Sequence, residues 1–351
     1  MSSISIYTCW FNLKQRPHHL AELLLRNRHE VGVYAYRGLR SPRPALSPGL
    51  NASVTSHTLI SNRLCLTDTL VRLNRDRLNK LISVFASSPS DLHIYAAPPL
   101  VLPRKPAVLI YDCMDDWSAF PNAAPGLSHA ELELCELADR IWVTSRTLEE
   151  RFAPRFSAKL QYVPNGVDCA HFAESAVRRA QRPNGKTIGY VGMIDDWFDE
   201  CLVQQLAVRL PDWNIVLAGP VRLSRVRRAN LLLPNIKLIG IQEYRKLPQI
   251  MAGFDVGIIP FKLNRLVKAV SPVKLFEYLA AGLPVVSTPL PEVAALREDG
   301  VVHCAASADE FAAAVQSCTH TDLTCRRHEL ADLHSWSRLF SGALPGWIAS
   351  H

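Results

Sequence analysis

The feature that most limits what this chain can fold into is an alternation that occurs twice. Short runs of β-branched and aromatic residues at 4–10, 30–36, 92–96, 107–111, 141–144 and 160–163 are interleaved with amphipathic stretches at 19–25, 70–85 and 131–139. Short apolar runs bounded by turn residues read as strands, and apolar residues three and four apart read as helices packed on them. After a polar stretch at 178–186 the alternation resumes, with strands expected at 187–191, 213–218, 236–239, 256–259 and 285–287 and helices at 200–209, 243–251, 273–281 and 308–318. Alternation of this kind builds parallel sheets covered on both faces. The expected fold is therefore α/β, two Rossmann-like doubly wound domains in series. The 351 residues suffice for two cores of ordinary size. Their expected bounds are 1–177 and 178–334, with 335–351, which carries Trp336, Leu339, Phe340 and Trp347, as a C-terminal helical tail.

Composition removes several classes of function. With 48% hydrophobic and 20% charged residues and no long apolar run, the sequence describes a folded protein with no membrane-spanning helix. The first residues lack a basic segment followed by an apolar one, so a cytoplasmic location is expected. Nine cysteines form no Cys-x-x-Cys pair and no zinc-ligand spacing, and they read as reduced, mostly buried thiols. The net charge of +7, concentrated in the N-terminal half, suits an anionic substrate or an anionic membrane surface. Arg72, Arg75, Arg77 and Lys80, interleaved with Leu70, Leu73, Leu78 and Leu81, form either a surface for such a membrane or an ordinary exposed helix. The cluster Arg222, Arg225, Arg227 and Arg228 reads as a solvated face. No basic motif with interleaved aromatics and no zinc finger appears, so nucleic acid is not an expected partner.

One segment carries most of the chemical information. In Ser271-Pro272-Val273-Lys274-Leu275-Phe276-Glu277-Tyr278-Leu279-Ala280-Ala281-Gly282-Leu283-Pro284-Val285-Val286-Ser287-Thr288, Ser271 is a suitable N-cap, Pro272 suits a first helical position, and Gly282 and Pro284 end the helix before a buried strand. Lys274 places a cation in the first turn, where the helix dipole disfavours it by roughly 0.3–1 kcal/mol unless an anion is present. Backbone N–H groups, the dipole and an ammonium together make a diphosphate site without a metal. Glu277 lies one turn on, where it can accept hydrogen bonds from vicinal ribose hydroxyls; the plain alternative is a Lys274–Glu277 surface ion pair.

The segment Pro-x-Lys-x-x-Glu-Tyr-Leu-Ala-Ala-Gly-x-Pro-Val-Val resembles the donor-site signature of GT-B glycosyltransferases, especially the bacterial family 4-like group used for surface polysaccharides. Similar matches run through the chain: Gln15-Arg16-Pro17-His18-His19-Leu20-Ala21, Tyr111-Asp112-Cys113-Met114-Asp115-Asp116-Trp117, Val163-Pro164-Asn165-Gly166-Val167-Asp168, Gly189-Tyr190-Val191-Gly192 and Phe254-Asp255-Val256-Gly257-Ile258-Ile259-Pro260-Phe261. The resemblance implies two domains facing a cleft, with the acceptor on the first and the nucleotide sugar on the second. It implies no cofactor and no metal, with a UDP-sugar slightly favoured as donor substrate and a saccharide or lipid-linked acceptor. Donor-site candidates are Gly192, Gln242, Ser271, Lys274 and Glu277; acceptor-site candidates are Arg16, His18 and His19. Many retaining relatives carry two glutamates eight positions apart, and here Ala269 stands eight residues before Glu277.

Direct displacement at an anomeric carbon needs a base for the acceptor hydroxyl. Asp112, Asp115 and Asp116 compete for that role at the carboxyl end of a strand, where open parallel sheets bind ligands. Asp112 is placed to anchor the loop and Asp116 to pair with an arginine, and Asp115 aligns with the catalytic aspartate of some inverting transferases of this fold. Asp115 is the candidate base. Neither Asp115-Asp116 nor Asp195-Asp196 forms the Asp-x-Asp of metal-dependent transferases. The expected function is a metal-independent glycosyltransferase of polysaccharide or glycoconjugate synthesis. The alternatives are a nucleotide-sugar 2-epimerase of the same fold and a non-catalytic nucleotide-sugar-binding partner.

Overall fold

A computed structural model describes residues 2–8, 14–37, 53–58, 92–96, 108–120, 123, 126–180, 185–318 and 323–349. The chain separates into two compact units, one formed by residues 1–164 and 339–351 and the other by residues 165–338.

The first unit holds a parallel sheet in the order β3-β2-β1-β4-β5-β6-β7. Its strands are β1 (Ser3–Thr8), β2 (Glu30–Arg37), β3 (Ser53–Thr58), β4 (Leu92–Ala96), β5 (Leu109–Cys113), β6 (Arg140–Val143) and β7 (Leu160–Tyr162). Helix α1 (Arg16–Arg26) follows β1, α2 (Leu127–Leu137) follows β5, and α3 (Arg146–Phe156) follows β6. The order reverses between β1 and β4, which marks the topological switch point of a doubly wound sheet. Strand β5 begins and ends two residues later than expected. Asp112 is therefore a fully buried strand residue, and the turn begins at Met114.

The second unit repeats the plan with β10-β9-β8-β11-β12-β13. The strands are β8 (Thr187–Val191), β9 (Asn214–Ala218), β10 (Ile236–Gly240), β11 (Val256–Ile259), β12 (Val285–Ser287) and β13 (Val302–Cys304). The longer helices are α4 (Cys169–Ala180), α5 (Glu200–Arg209), α6 (Val273–Ala280), α7 (Ala308–Ser317) and α8 (Thr324–Leu333). Every strand pairing among the described residues of the two sheets is parallel, so both faces need covering. The core shows how this is met: Ile188, Tyr190, Ile215, Leu217, Val256, Ile258, Leu275, Tyr278 and Leu279 are all closed to solvent.

The unit boundary falls at Pro164/Asn165, ahead of the expected 177/178. Helix α4 packs with the second unit, where His171 stacks on Tyr244 at 4.3 Å and Ser175 donates to the Pro248 carbonyl at 2.9 Å. Residues 178–180 end this helix and do not form a linker. The expected tail also divides. From Leu339 onward the chain belongs to the first unit, with Phe340 stacked on Trp142 and Arg140 donating to the Ala343 carbonyl. The seven described cysteines are free thiols, but only Cys113, Cys135 and Cys318 are buried; Cys201 and Cys325 are exposed because they lie on outward helix faces. The basic stretch around Arg72 to Lys80 lies outside the described residues. Among the described residues no helix is long and apolar enough to cross a membrane.

Candidate donor and base sites

In the second unit Gly192 and Lys274 meet outside the carboxyl ends of β8 and β11, the switch point of its sheet. Lys274, on the first turn of α6, lays its ammonium over the rings of Tyr190 and Phe261, 5.4 and 5.3 Å from their centroids. Gly192 makes this approach possible. Its φ is 145°, and a Cβ there would lie 2.2 Å from Lys274 Cε and 2.6 Å from Nζ. Gly219, at φ 149°, backs the same loop, where a Cβ would strike the Gly192 carbonyl oxygen at 1.9 Å. The contribution of Gly192 is room for the lysine and not a free amide, since its N–H donates to the Ala218 carbonyl at 2.8 Å.

Two partners fix the helix start. Tyr278 accepts the Val191 N–H at 2.9 Å through its hydroxyl, tying α6 to the end of β8. Asn165 donates from its amide to the Ser271 carbonyl at 2.8 Å and from its backbone to Ser271 Oγ at 3.2 Å. Ser271 is consequently not the N-cap. Pro272 takes that position and has no polar side-chain atom to cap with, while the Ser271 hydroxyl accepts from Asn165. The first-turn N–H groups of Val273 and Lys274 find no acceptor among the described residues.

Lys274 and Glu277 are both half-buried, and among the described residues neither makes a hydrogen bond or an ion pair. The surface ion pair weighed as the plain alternative is absent. Burial pushes the Glu277 carboxyl up to about 7 against the pull of Lys274, and burial lowers the Lys274 ammonium against the pull of Glu277. A half-buried cation beside open helix amides is unfavourable until an anion arrives. Gln242 is half-buried and donates one amide N–H to the Ile239 carbonyl at 2.7 Å, which leaves its other N–H and its oxygen for a ligand.

In the first unit the three aspartates separate cleanly. Asp112 accepts from Arg16 Nε at 2.8 Å, and Arg16 also donates to the Pro164 carbonyl at 2.8 Å. With 2% of its surface exposed, Arg16 ties α1 to β5. His18 is buried and accepts the Gln15 N–H at 3.2 Å, closing the first turn of α1; His19 is buried beside it. The structure thus places both histidines at the start of α1. Asp116 pairs with Arg151 at 3.1 Å and accepts from Ser118 at 2.6 Å. Asp115 is half-buried, and its carboxylate has no partner among the described residues. Burial, reinforced by the charge of Asp116, pushes it up to about 7.

Sequence reasoning missed Tyr278, Asn165 and the Tyr190–Phe261 platform, although all four residues lie inside motifs quoted from the sequence. It also missed Glu131 and Arg151, which no local signal marks. Among the described residues no group of three His, Cys, Asp or Glu side chains is arranged to hold a metal ion.

Two doubly wound parallel-sheet units in series are the arrangement of the GT-B fold. Residues 185–320 match the family described as glycosyl transferases group 1. A putative teichuronic acid biosynthesis glycosyltransferase, TuaH of Bacillus subtilis (strain 168), is 33% identical over 208 residues, 54% of this chain and 52% of the relative. The match thus spans about half the length of that curated relative. Among solved structures, Anabaena HepE in complex with UDP and glucose superposes with a TM-score of 0.64 at 14% identity over 98% of each chain. Sucrose-phosphate synthase from Thermosynechococcus elongatus gives 0.71 at 15% identity over 96% of each. The lipopolysaccharide outer core galactosyltransferase WaaB gives 0.65 at 12% identity over 97% of each. At these identities the structural likeness establishes the fold.

Proposed function

We propose that this chain is a glycosyltransferase that moves a sugar from a nucleotide-diphosphate sugar to a saccharide or lipid-linked acceptor in polysaccharide or glycoconjugate synthesis. The observation that carries the reading is Lys274, a half-buried cation with no anionic partner among the described residues, set against Gly192 and two open helix amides in a group 1 domain. The diphosphate supplies the missing anion. Glu277 accepts hydrogen bonds from the ribose hydroxyls, and the Gln242 oxygen meets the base. A uridine donor is favoured, on the likeness to a protein crystallised with UDP and with UDP-glucose.

Asp115 takes the proton of the acceptor hydroxyl as that oxygen attacks the anomeric carbon. The bond from that carbon to the diphosphate breaks, and the nucleoside diphosphate leaves. A carboxylate titrating near 7 is half ionised at neutral pH and basic enough for this task. Lys274 and the dipole of α6 stabilise the charge developing on the leaving group, a role that a metal fills in other transferases. A peripheral position at an anionic membrane belongs to the same proposal. Its support is the exposed Arg222, Arg225 and Arg228 beside Val226 and Leu232, which are 82% and 69% exposed.

The test is incubation with UDP-, GDP- and dTDP-sugars, with and without saccharide and lipid-linked acceptors. Acceptor-dependent release of nucleoside diphosphate is the expected result. An isomerised donor formed without acceptor would replace the reading with the epimerase, and tight donor binding with no turnover across the panel would replace it with the non-catalytic partner.

A further inference from the structure

Asp116, the neighbour of Asp115 in the chain, shares a buried corner with a second carboxylate and one guanidinium. Glu131, on α2, is 1% exposed and accepts the Tyr111 hydroxyl at 2.8 Å and the Cys113 thiol at 3.8 Å. Arg151, from α3, forks across the corner, one amino group donating to Asp116 Oδ1 at 3.1 Å and the other to Glu131 Oε2. Thr144 Oγ1 holds the turn from the other side by donating to the Met114 carbonyl at 2.9 Å.

The remaining charges nearby are engaged elsewhere. Arg16 binds Asp112, Arg155 binds Glu136, and Lys159 donates to the carbonyls of Glu136 and Ala138. The Tyr111 hydroxyl and the Cys113 and Cys135 thiols are raised by burial and stay neutral near pH 7. Arg151 is thus the cation that Asp116 and Glu131 share, and a planar fork is the group suited to bridge two carboxylates.

We propose that Arg151 is a positioning residue for Asp115: by pairing with Asp116 and Glu131 together it fixes the 115–116 turn and weakens the pull of the neighbouring negative charge on Asp115. The proposal rests on the reading of Asp115 as the base. Without the guanidinium, the Asp116 charge that already raises Asp115 acts on it unscreened and its proton is held more tightly, while the buried Glu131 takes up a proton of its own. Less of the ionised form is then present at neutral pH, and the acid limb of the kcat/KM profile moves to higher pH.

The experiment follows the Asp115 carboxyl directly by 13C NMR titration of the full-length chain, alongside pH profiles of kcat/KM. In Arg151→Gln the Asp115 midpoint and the acid limb should both rise by about one pH unit. Arg151→Lys, which keeps charge without the fork, should rise less. Asp116→Asn should lower both below the parent, and Arg151→Gln combined with Asp116→Asn should return them toward it. An Asp115 midpoint unmoved in Arg151→Gln, with activity reduced equally at every pH, overturns the proposal in favour of a purely structural Arg151. If Arg151→Gln does not fold, Glu131→Gln and Asp116→Asn carry the test, and unmoved midpoints in both overturn it. Failure of the base assignment looks different: Asp115→Asn would turn over normally while the NMR midpoints still respond to Arg151.

Discussion

Two glutamates in the second unit sit near helix starts at the carboxyl edge of one sheet, and their surroundings could hardly differ more. Glu200, in the first turn of α5, is held by Arg227 at 2.8 Å and by Lys262 at 3.0 Å, and the Arg227 bonds bring its carboxyl down to about 2 despite burial. Glu277, on α6, has a cation one turn away and does not bond to it, and burial pushes it up to about 7. Glu200 is spent on the fold: Arg227 also reaches Asp196, so the cluster pins the loop after β8. Glu277 and Lys274 are left over by the fold. A charge that is half-buried and uncompensated costs stability, and the missing partner points to a ligand. The first unit shows the same division, with Asp112 and Asp116 spent and Asp115 left over.

The largest effect expected from this division is on turnover. Asp115→Asn should cut kcat by about 10² or more, as loss of a general base does, with donor affinity kept. Because the carboxyl is raised from its ordinary value to about 7, folding favours its protonated form, so the unliganded fold loses stability as pH rises from about 4 to about 7. Asp115→Asn should therefore raise Tm at pH 8. A variant that melts lower and still turns over would move Asp115 to the structural side.

Lys274→Ala should weaken nucleoside-diphosphate binding by roughly 10- to 100-fold in calorimetry while leaving nucleoside binding nearly unchanged, since a charge-assisted bond to phosphate is what is removed. Equal losses for both ligands would erase the distinction drawn here between Lys274 and the structural cations.

Glu277→Gln should raise the donor Kd by about tenfold, the loss of one or two hydrogen bonds to a charged acceptor. It should also flatten the decline in stability of the unliganded protein between pH 4.5 and about 7, and a lower Tm at pH 8 would count against a ligand-directed role. Glu200→Gln should do the reverse, lowering stability by roughly 1–3 kcal/mol at pH 7 with donor binding unchanged. Its carboxyl is depressed, so that stabilisation is present above pH 4.5, and the variant's deficit should shrink as pH falls toward 2. The smallest expected effect is none: chelators should leave activity intact, and complete inhibition reversed by Mg²⁺ would place a metal where Lys274 is assigned.

Much of the fold was legible because local rules were enough. The strands 92–96, 187–191, 256–259 and 285–287 and the helix 200–209 lie where apolar runs and periodicity put them. Strands β3 and β13, at the sheet edges, were missed because edge strands need little apolar sequence and these two are mixed in polarity. Helix α8 was missed because Thr324–Leu333 carries little apolar periodicity, and the helix is held by Arg327 bonding to the Gly282 and Gly300 carbonyls.

By itself the sequence determined two doubly wound sheets, the helix between Pro272 and Gly282, and the candidate set of charged residues, since each depends on neighbours within a turn or a strand. Which charges are spent was decided only by the tertiary structure. Asp112 meets Arg16, 96 residues away, and Asp116 meets Arg151, 35 residues away. Asp115 meets neither cation. An aspartate's chemistry is set by the groups that share its low-dielectric surroundings, and in a parallel sheet those groups arrive from strands and helices far apart in the chain.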